Sequence, residues 1–391
     1  MEGLMDFAFS EEQEMFLAMF RDFSAKEVAP QAEELDHEEA LPLDALRKAA
    51  QQGFLGATLP EKYFGAELDY LSYVLLVETL AADSVSMAVM LATHVSLAAM
   101  SILENGDEAQ KEAWLPVMSA GEAIGAFALT EPDAGSDAVY QGGSGWQTRA
   151  TPEGDDVVLD GVKSWVANGE VAGIFVVFAR GPEGGDAFLV PADASGLTLG
   201  YREPTLGLRS AAFNRLYLEK CRVPASNRLG APGAGVEIAR QAQDRMAIAL
   251  GAAGLGVAAS SLDVASQFAT ERVQFGVPIA EKQAIQRYVA EVLTEVEALR
   301  YLVYHAAWAV DRGDGFSRDA SVVKAFGAKV ARNATNQMLQ VLGGYGYMED
   351  YPMARKYRDA RALGIIGGPT ELHHVRIAQD VFAKRDVDVV P

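Results

Sequence analysis

The chain has 391 residues, half of them hydrophobic and 22% charged, which excludes a disordered polypeptide and leaves mass for roughly two or three domains with large cores. Its net charge of −21 argues against a nucleic-acid binder, which needs a basic face, and against attraction to an anionic membrane. A single cysteine, Cys221, excludes a disulfide framework and fits a reducing, cytoplasmic setting.

Ser10-Glu-Glu-Gln13 reads as a capping box, and the helix it opens carries Met15, Phe16, Met19, Phe20 and Phe23 on one face until Pro30. A second helix starts near Pro42 and stops at Gly53, and Gly56 to Gly65 reads as a loop. Leu71 to Ala82 and Ser86 to Asn105 are apolar helical patterns, and Asp107 to Ala120 is a short helix with Trp114 and Met118 turned inward. Residues 1–122 therefore form a helical domain. The acidic first ten residues lack the pattern of a signal or transit segment. No window of about 18 residues is apolar and free of charge, so no membrane-spanning helix is expected.

The period then changes. Residues 123–130, 156–160, 173–179, 186–190 and 213–220 alternate or run apolar and are split by Gly, Pro and Asp, as strands do. Gln141 to Gly154 is polar and glycine-rich and reads as a loop. Residues 123–232 form a β-domain, barrel or sandwich. From Gly235 the helical period returns over Gly235–Thr270, Glu281–Arg312, Arg318–Leu342 and Leu372–Ala383. These helices make residues 233–391 a C-terminal helical bundle. Small residues from Ala247 to Gly256 allow helices to approach closely. The fold class is multi-domain α+β: N-terminal helical domain, middle β-domain, C-terminal four-helix bundle. No metal-ligand cluster stands out.

The most informative stretch is Ala128–Asp137. An apolar strand, Ala123 to Phe127, breaks there into Pro132, Gly135 and two aspartates. Thr130 and Ser136 offer hydroxyls, and the turn at Gly135 frees backbone donors. Such a strand exit suits an anionic or heteroaromatic ligand, although an ordinary strand-to-loop exit reads the same way. Cys221, between Lys220 and Arg222, reads as structural filler.

Taken with five further motifs in order, this stretch resembles the acyl-CoA dehydrogenase family over nearly the whole chain. The others are Lys163-Ser-Trp-Val-Ala-Asn168, Leu206-Gly-Leu-Arg209 with Cys221-Arg-Val-Pro224, Glu271-Arg-Val-Gln-Phe-Gly276, Gln340-Val-Leu-Gly-Gly-Tyr-Gly-Tyr347 and Arg358-Asp359. The resemblance implies FAD, an acyl-CoA substrate, an electron-transfer flavoprotein as acceptor and a homotetramer. It places Phe127, Leu129, Thr130, Gly135, Ser136, Trp165 and Ala167 at the flavin, with Ser136 also on the CoA. Arg272, Gln274, Phe275, Gln283, Gln340, Val341, Gly343 and Gly344 would hold the FAD of a neighbouring subunit. Pro369 and Glu371 would lie beside the cofactor.

The same resemblance exposes a departure. The family usually takes its catalytic Glu from the loop before the last helix, and here that position is Gly367. A subset of the family, the isovaleryl- and long-chain-type enzymes, takes its base from the first long helix of the last domain. The matching residue here is Asp244, beside Arg245, in a stretch whose apolar neighbours would desolvate it. Asp244 is therefore the expected base, with the Gly367 N–H on the thioester oxygen and Gly368, Gln241 and Arg245 near the substrate; a helix-surface carboxylate paired with Arg245 or Arg240 is the competing reading. Thr93, His94 and Ser96 lie on a helix that lines the acyl pocket in relatives, so they suggest a polar, short, branched or cyclic acyl group. A satisfied core histidine with helix hydroxyls is the competing reading. Ala167, Ser210-Ala-Ala-Phe213 and Pro369 also depart from the family pattern. Alternatives of the same fold are a flavin monooxygenase, a dehydrogenase of carrier-protein thioesters and a non-catalytic flavoprotein.

Overall fold

A computed structural model of the chain describes residues 8–136, 139, 143 and 145–383. The expected position Asp137, and the part of the Gln141–Gly154 loop at 141, 142 and 144, lie outside the described residues. Helices occupy the chain from Glu11 to Ser119, strands from Ile124 to Leu229, and helices again from Gly235.

The first helix, Glu11–Phe23, is opened by the capping box: the Gln13 N–H donates to Ser10 Oγ at 3.1 Å and the Ser10 N–H to Gln13 Oε1 at 3.0 Å. Phe20 and Phe23 are buried, whereas Met15 is exposed. Helices Tyr70–Asp83 and Val85–Ala92 follow, and the latter runs through a π-helical turn, Thr93–Ala99, into Met100–Asn105. In the helix Glu108–Ser119, Leu115 and Met118 are buried while Trp114 is only half-buried. Two stretches, 85–105 and 235–271, prove long and apolar enough to cross a membrane by length and composition alone. Their apolar windows are 89% and 78% buried inside this fold, the ordinary situation of a core helix.

The β region forms one eight-stranded sheet: β1 (Ile124–Ala128), β2 (Arg149–Glu153), β3 (Asp156–Ala167), β4 (Ala172–Gly181), β5 (Gly184–Pro191), β6 (Leu197–Arg202), β7 (Phe213–Pro224) and β8 (Arg228–Leu229). The order is β6-β7-β3-β2-β4-β5-β8, with β1 parallel to β4. Strand β4 is buried on both sides. Ile174, Val176 and Phe178 join a core shared with the helices, and Phe175, Val177 and Ala179 join the core of the other face. That is why it reads as a continuous apolar run. Strands β2 and β6 were not expected. In β2 only Ala150 is buried, so the strand carries almost no apolar signal and falls inside the expected loop 141–154.

The small residues of the long helix Gly235–Glu271 are used within the chain. A Cβ on Gly251 would stand 2.1 Å from Val323 Cγ1, one on Gly254 2.9 Å from the Gly327 carbonyl oxygen, and one on Gly256 2.0 Å from the Glu78 carbonyl oxygen. Glycine thus lets this helix seat directly on Ser317–Leu342 and Tyr70–Asp83. The bundle is completed by Gln283–Asp311, Met353–Ala362 and Thr370–Ala383. Met353–Ala362 also escaped the sequence reading. It buries Arg355, Lys356 and Asp359 beside Met353 and Ala360, so charged residues interrupt the apolar period of its inward face.

Candidate functional site

The exit of β1 is held by a buried ion pair. Lys163 Nζ lies 2.7 Å from Glu131 Oε1 and donates to the Leu129 carbonyl at 3.2 Å, with both side chains essentially without solvent exposure. Glu131 also accepts from the Gln147 and Thr148 N–H groups. Burial pushes the Lys163 ammonium down to about 8, against the opposing pull of the Glu131 carboxylate. Burial works to raise the Glu131 carboxyl, yet the Lys163 charge and its hydrogen bonds hold it below the usual range. The turn carrying Thr130 is thus fixed to β3, and the Ser164 N–H donates to the Thr130 carbonyl at 2.9 Å.

Within β3 the register slips between Lys163 and Val166, a bulge that points successive side chains apart. Lys163 goes fully inside. Trp165, at φ +54°, comes out with 57% of its surface exposed. Ala167 is half-buried beyond it. The strand ends at Asn168, also at positive φ. Its Nδ2 donates to the carbonyls of Met90 at 3.0 Å and Gly125 at 3.1 Å, so the strand end is tied to a helix and to β1. The motif was legible in sequence, but this tie was not. Phe127 and Leu129 are buried, Thr130 and Ser136 half-buried, and Gly135 exposed.

A second group lies on the helical bundle. An open cavity of about 760 Å³ is lined by Arg272, Gln274, Phe275, Val341 and Gly344 among the expected cofactor residues. Gln283, Gln340 and Gly343 do not line it, and neither does any residue of the β region. Phe275 is 94% exposed at φ +54°, with Lys282 Nζ 5.8 Å from its ring centre. Arg272 lies over Tyr345 at 5.2 Å. Added Cβ atoms on Gly343 and Gly344 would meet nothing within 4 Å. Cations, bare glycine backbone and an exposed ring suit a nucleotide with phosphates. The sequence reading missed Lys282, which lies beyond the motif Glu271–Gly276, and Tyr345, which stands inside the motif Gln340–Tyr347 but was given no role there.

The third group surrounds the departure from the family pattern. Asp244, 2% exposed, accepts from Arg376 on Oδ1 and from Ser317 Oγ at 2.5 Å and Arg240 Nη1 at 3.4 Å on Oδ2. The expected desolvated setting is present, but its cations are Arg376 and Arg240. Arg245 turns instead to Glu104 and over the Phe316 ring. Gln241 donates to Glu237 at 2.9 Å. Gly367 packs against the same helix as Asp244. A Cβ there would sit 2.5 Å from Leu250 Cδ1 and 3.5 Å from Met246 Cγ. Gly368, Pro369 and Thr370 are half-buried beside it, and Glu371 is exposed.

The polar trio expected at the acyl group is committed internally. His94 is fully buried, and its Nδ1 accepts the Gly125 N–H at 2.8 Å. Burial pushes it down to about 4, so it is neutral. Ser96 shares a 2.8 Å hydrogen bond with the Tyr73 hydroxyl, and Thr93 is 2% exposed. One His94 nitrogen and the Ser96 hydroxyl are thus engaged inside the core, while His94 Nε2 is buried without a hydrogen-bond partner among the described residues. Cys221 is fully buried with its thiol pushed up to about 11, which suits filler.

Comparison with known proteins agrees with this organisation. Residues 10–122, 126–221 and 233–382 match the models of the acyl-CoA dehydrogenase N-terminal, middle and C-terminal domains. The chain is 37% identical over 383 residues to a short-chain-specific acyl-CoA dehydrogenase of Clostridium acetobutylicum, covering 97% of this chain and 100% of that one. Butyryl-CoA dehydrogenase from Megasphaera elsdenii superposes with a TM-score of 0.93 at 37% identity, covering 97% and 100%. The prolyl acyl carrier protein oxidase AnaB superposes with a TM-score of 0.91 at 29% identity, covering 96% and 100%.

Proposed function

The chain belongs to the acyl-CoA dehydrogenase family of oxidoreductases, and from that premise we propose that it is an FAD enzyme that introduces an α,β double bond into an acyl-CoA, with Asp244 as the base. One observation carries the assignment of the base. The helix that follows the Gly367 loop, Thr370–Ala383, reaches the buried Asp244 carboxylate through Arg376, so one element joins the loop position that lacks a carboxylate to the helix that carries one. That supports a site that takes its base from the long helix instead of the loop.

Asp244 takes the α-proton. A carboxylate has about four lone-pair directions, and three donors reach Asp244, so about one remains for that proton. The Gly367 N–H faces the charge that develops on the thioester oxygen as the Cα–H bond breaks. FAD, when bound, supplies the acceptor for the β-hydrogen and its electron pair. Thr130, Ser136, Trp165 and the Ala167 backbone would hold its ring, and Arg272, Phe275 and Gly344 its phosphates and adenine. The cavity lined by Arg272 and Phe275 has no contributor from the β region. That favours completion by a second subunit, and we extend the reading to a homotetramer. An electron-transfer flavoprotein as acceptor, a short, branched or cyclic acyl group and a cytoplasmic location belong to the same proposal.

The test is anaerobic mixing of FAD-loaded enzyme with short, branched and alicyclic acyl-CoAs, following flavin absorbance. General-base catalysis contributes about 10²–10⁴-fold, so Asp244→Asn is expected to bleach at least about 100-fold more slowly. Bleaching at the wild-type rate would remove Asp244 from the role. The likeness to a carrier-protein oxidase supports a second reading, a carrier-protein thioester. It predicts bleaching by the carrier-bound acyl group and none by the same group on CoA. Oxygen consumption without any thioester response would point to a monooxygenase instead.

A further inference from the structure

Three elements of the helical bundle converge on the candidate base. Arg376, on the helix Thr370–Ala383, donates to Asp244 Oδ1. Ser317 Oγ, at the start of the helix Ser317–Leu342, donates to Oδ2 at 2.5 Å. Arg240 Nη1, one turn earlier on the helix of Asp244 itself, reaches Oδ2 at 3.4 Å. The two arginines are not equivalent. Arg240 is committed to Glu237, with Nη2 2.6 Å from Oε1 and Nε 2.9 Å from Oε2, and 42% of its side chain is exposed. Arg376 is 14% exposed, and among the described residues Asp244 is the only carboxylate it pairs with. Glu237 thus largely balances the charge of Arg240, and Arg376 is the counter-charge of the buried Asp244 carboxylate. The helix that carries Arg376 is itself fastened: His373 Nδ1, three residues earlier, lies 3.2 Å from Ser321 Oγ. Ser317 and Ser321 are four residues apart, so one face of their helix meets both Asp244 and His373. The remaining charged neighbours look elsewhere. Arg245 turns to Glu104, Arg318 to Asp319 and Asp380, and Lys324 to the Gly368 carbonyl, while burial keeps His373 neutral.

An aspartate carboxylate left alone turns about its Cβ–Cγ bond over a broad two-fold range. Donors on both oxygens remove that freedom, so the lone pair that remains points in one direction. A misplacement of about 1 Å can cost on the order of 100-fold in rate, and a base on a short side chain therefore depends on what holds it. A cation in contact with a carboxylate also favours the ionised form, the one that accepts a proton. We propose that Arg376 is the positioning residue of the base: it fixes Asp244 Oδ1 and supplies the counter-charge of the buried carboxylate, with Ser317 as the uncharged anchor of the other oxygen. This rests on the reading of Asp244 as the base of a thioester dehydrogenation.

The experiment uses FAD-loaded full-length enzyme and the acyl-CoA that bleaches the wild type fastest, at saturation, from about pH 4 to about pH 9. The variants are Arg376→Met, Arg376→Lys, Asp244→Asn and the double variant Asp244→Asn/Arg376→Met. A neighbouring cation is worth about 1–3 pH units to a carboxylate, so in Arg376→Met the acid limb of the rate profile should move up by at least about one unit. Bleaching near neutral pH should slow at least about 10-fold, with the half-saturating concentration changed less than about threefold. Arg376→Lys restores the charge and should bring the limb back to within about half a unit of wild type. Asp244→Asn leaves no base to position, so adding Arg376→Met to it should slow bleaching less than about twofold further. Four outcomes overturn the positioning role alone: an Arg376→Met enzyme with the wild-type rate, one slowed equally at every pH with its limb unmoved, an Arg376→Lys enzyme no better than it, or a double variant slowed by the full single-variant factor. Should Arg376→Met fail to fold, Arg376→Gln keeps an N–H and lacks the charge; its limb should still move up, and an unmoved limb overturns the proposal. Wild-type bleaching by Asp244→Asn, or a wild-type enzyme that no thioester bleaches, overturns the underlying functional reading and the positioning role with it.

Discussion

Replacing Lys163 by Met tests how the proposed flavin-side strand exit is held. The substitution keeps the volume of the side chain and removes its charge. It leaves the Glu131 carboxylate with only 1% of its side chain exposed and without the cation 2.7 Å away. Breaking a buried pair by removing one partner costs about 3–5 kcal/mol. Here Glu131 keeps the N–H donors of Gln147 and Thr148, so the lower end, about 3 kcal/mol, applies. At about 1.2 °C per kcal/mol for a cooperative unit of 391 residues, the melting temperature should fall by roughly 4 °C. The assay is thermal unfolding of the FAD-loaded enzyme together with FAD retained per chain, because Thr130 and Trp165 flank the pair in sequence. The double variant Glu131→Gln/Lys163→Met has no unpaired charge and should regain at least half of the loss. A single variant melting within about 2 °C of wild type, or a double variant no better than the single, would refute the account.

Three further expectations follow from the geometry. His94 and His373, both pushed down to about 4 from 6.5 by burial, refuse protons that the unfolded chain binds between those values. Stability therefore falls as pH falls through 6.5 toward 4, by about 2 kcal/mol per histidine at pH 5, which urea unfolding at pH 7 and pH 5 will measure; equal midpoints would contradict it. Gly256→Ala places a methyl 2.0 Å from the Glu78 carbonyl oxygen and should melt well below Gly276→Ala, which meets nothing within 4 Å and costs only about 1–2 kcal/mol for its left-handed φ. Arg272→Met should purify with less FAD per chain than wild type while its far-ultraviolet circular dichroism is unchanged. Full FAD occupancy would remove Arg272 from the cofactor.

The helical spans were legible because burial imposes a 3.6-residue period that the sequence states directly, as in Gly235–Glu271 and Ser317–Leu342. The Ser10 cap and the apolar run of β4 were equally local signals. Strand β2 and the helix Met353–Ala362 were not, since one is nearly all exposed and the other turns charge inward. The resemblance to the family, and no local period, marked Gly367 as the position without the usual carboxylate and Asp244 as the proposed base. The sequence determined which chemical groups the chain owns and where the local period changes. Only the tertiary structure decided their partners. Glu131 meets Lys163, Asp244 meets Arg376 rather than its neighbour Arg245, and Ser321 meets His373. These pairs are separated by 32, 132 and 52 residues. A contact between distant residues leaves no period and no spacing to read, because the fold that closes it is set by the packing of every element between them.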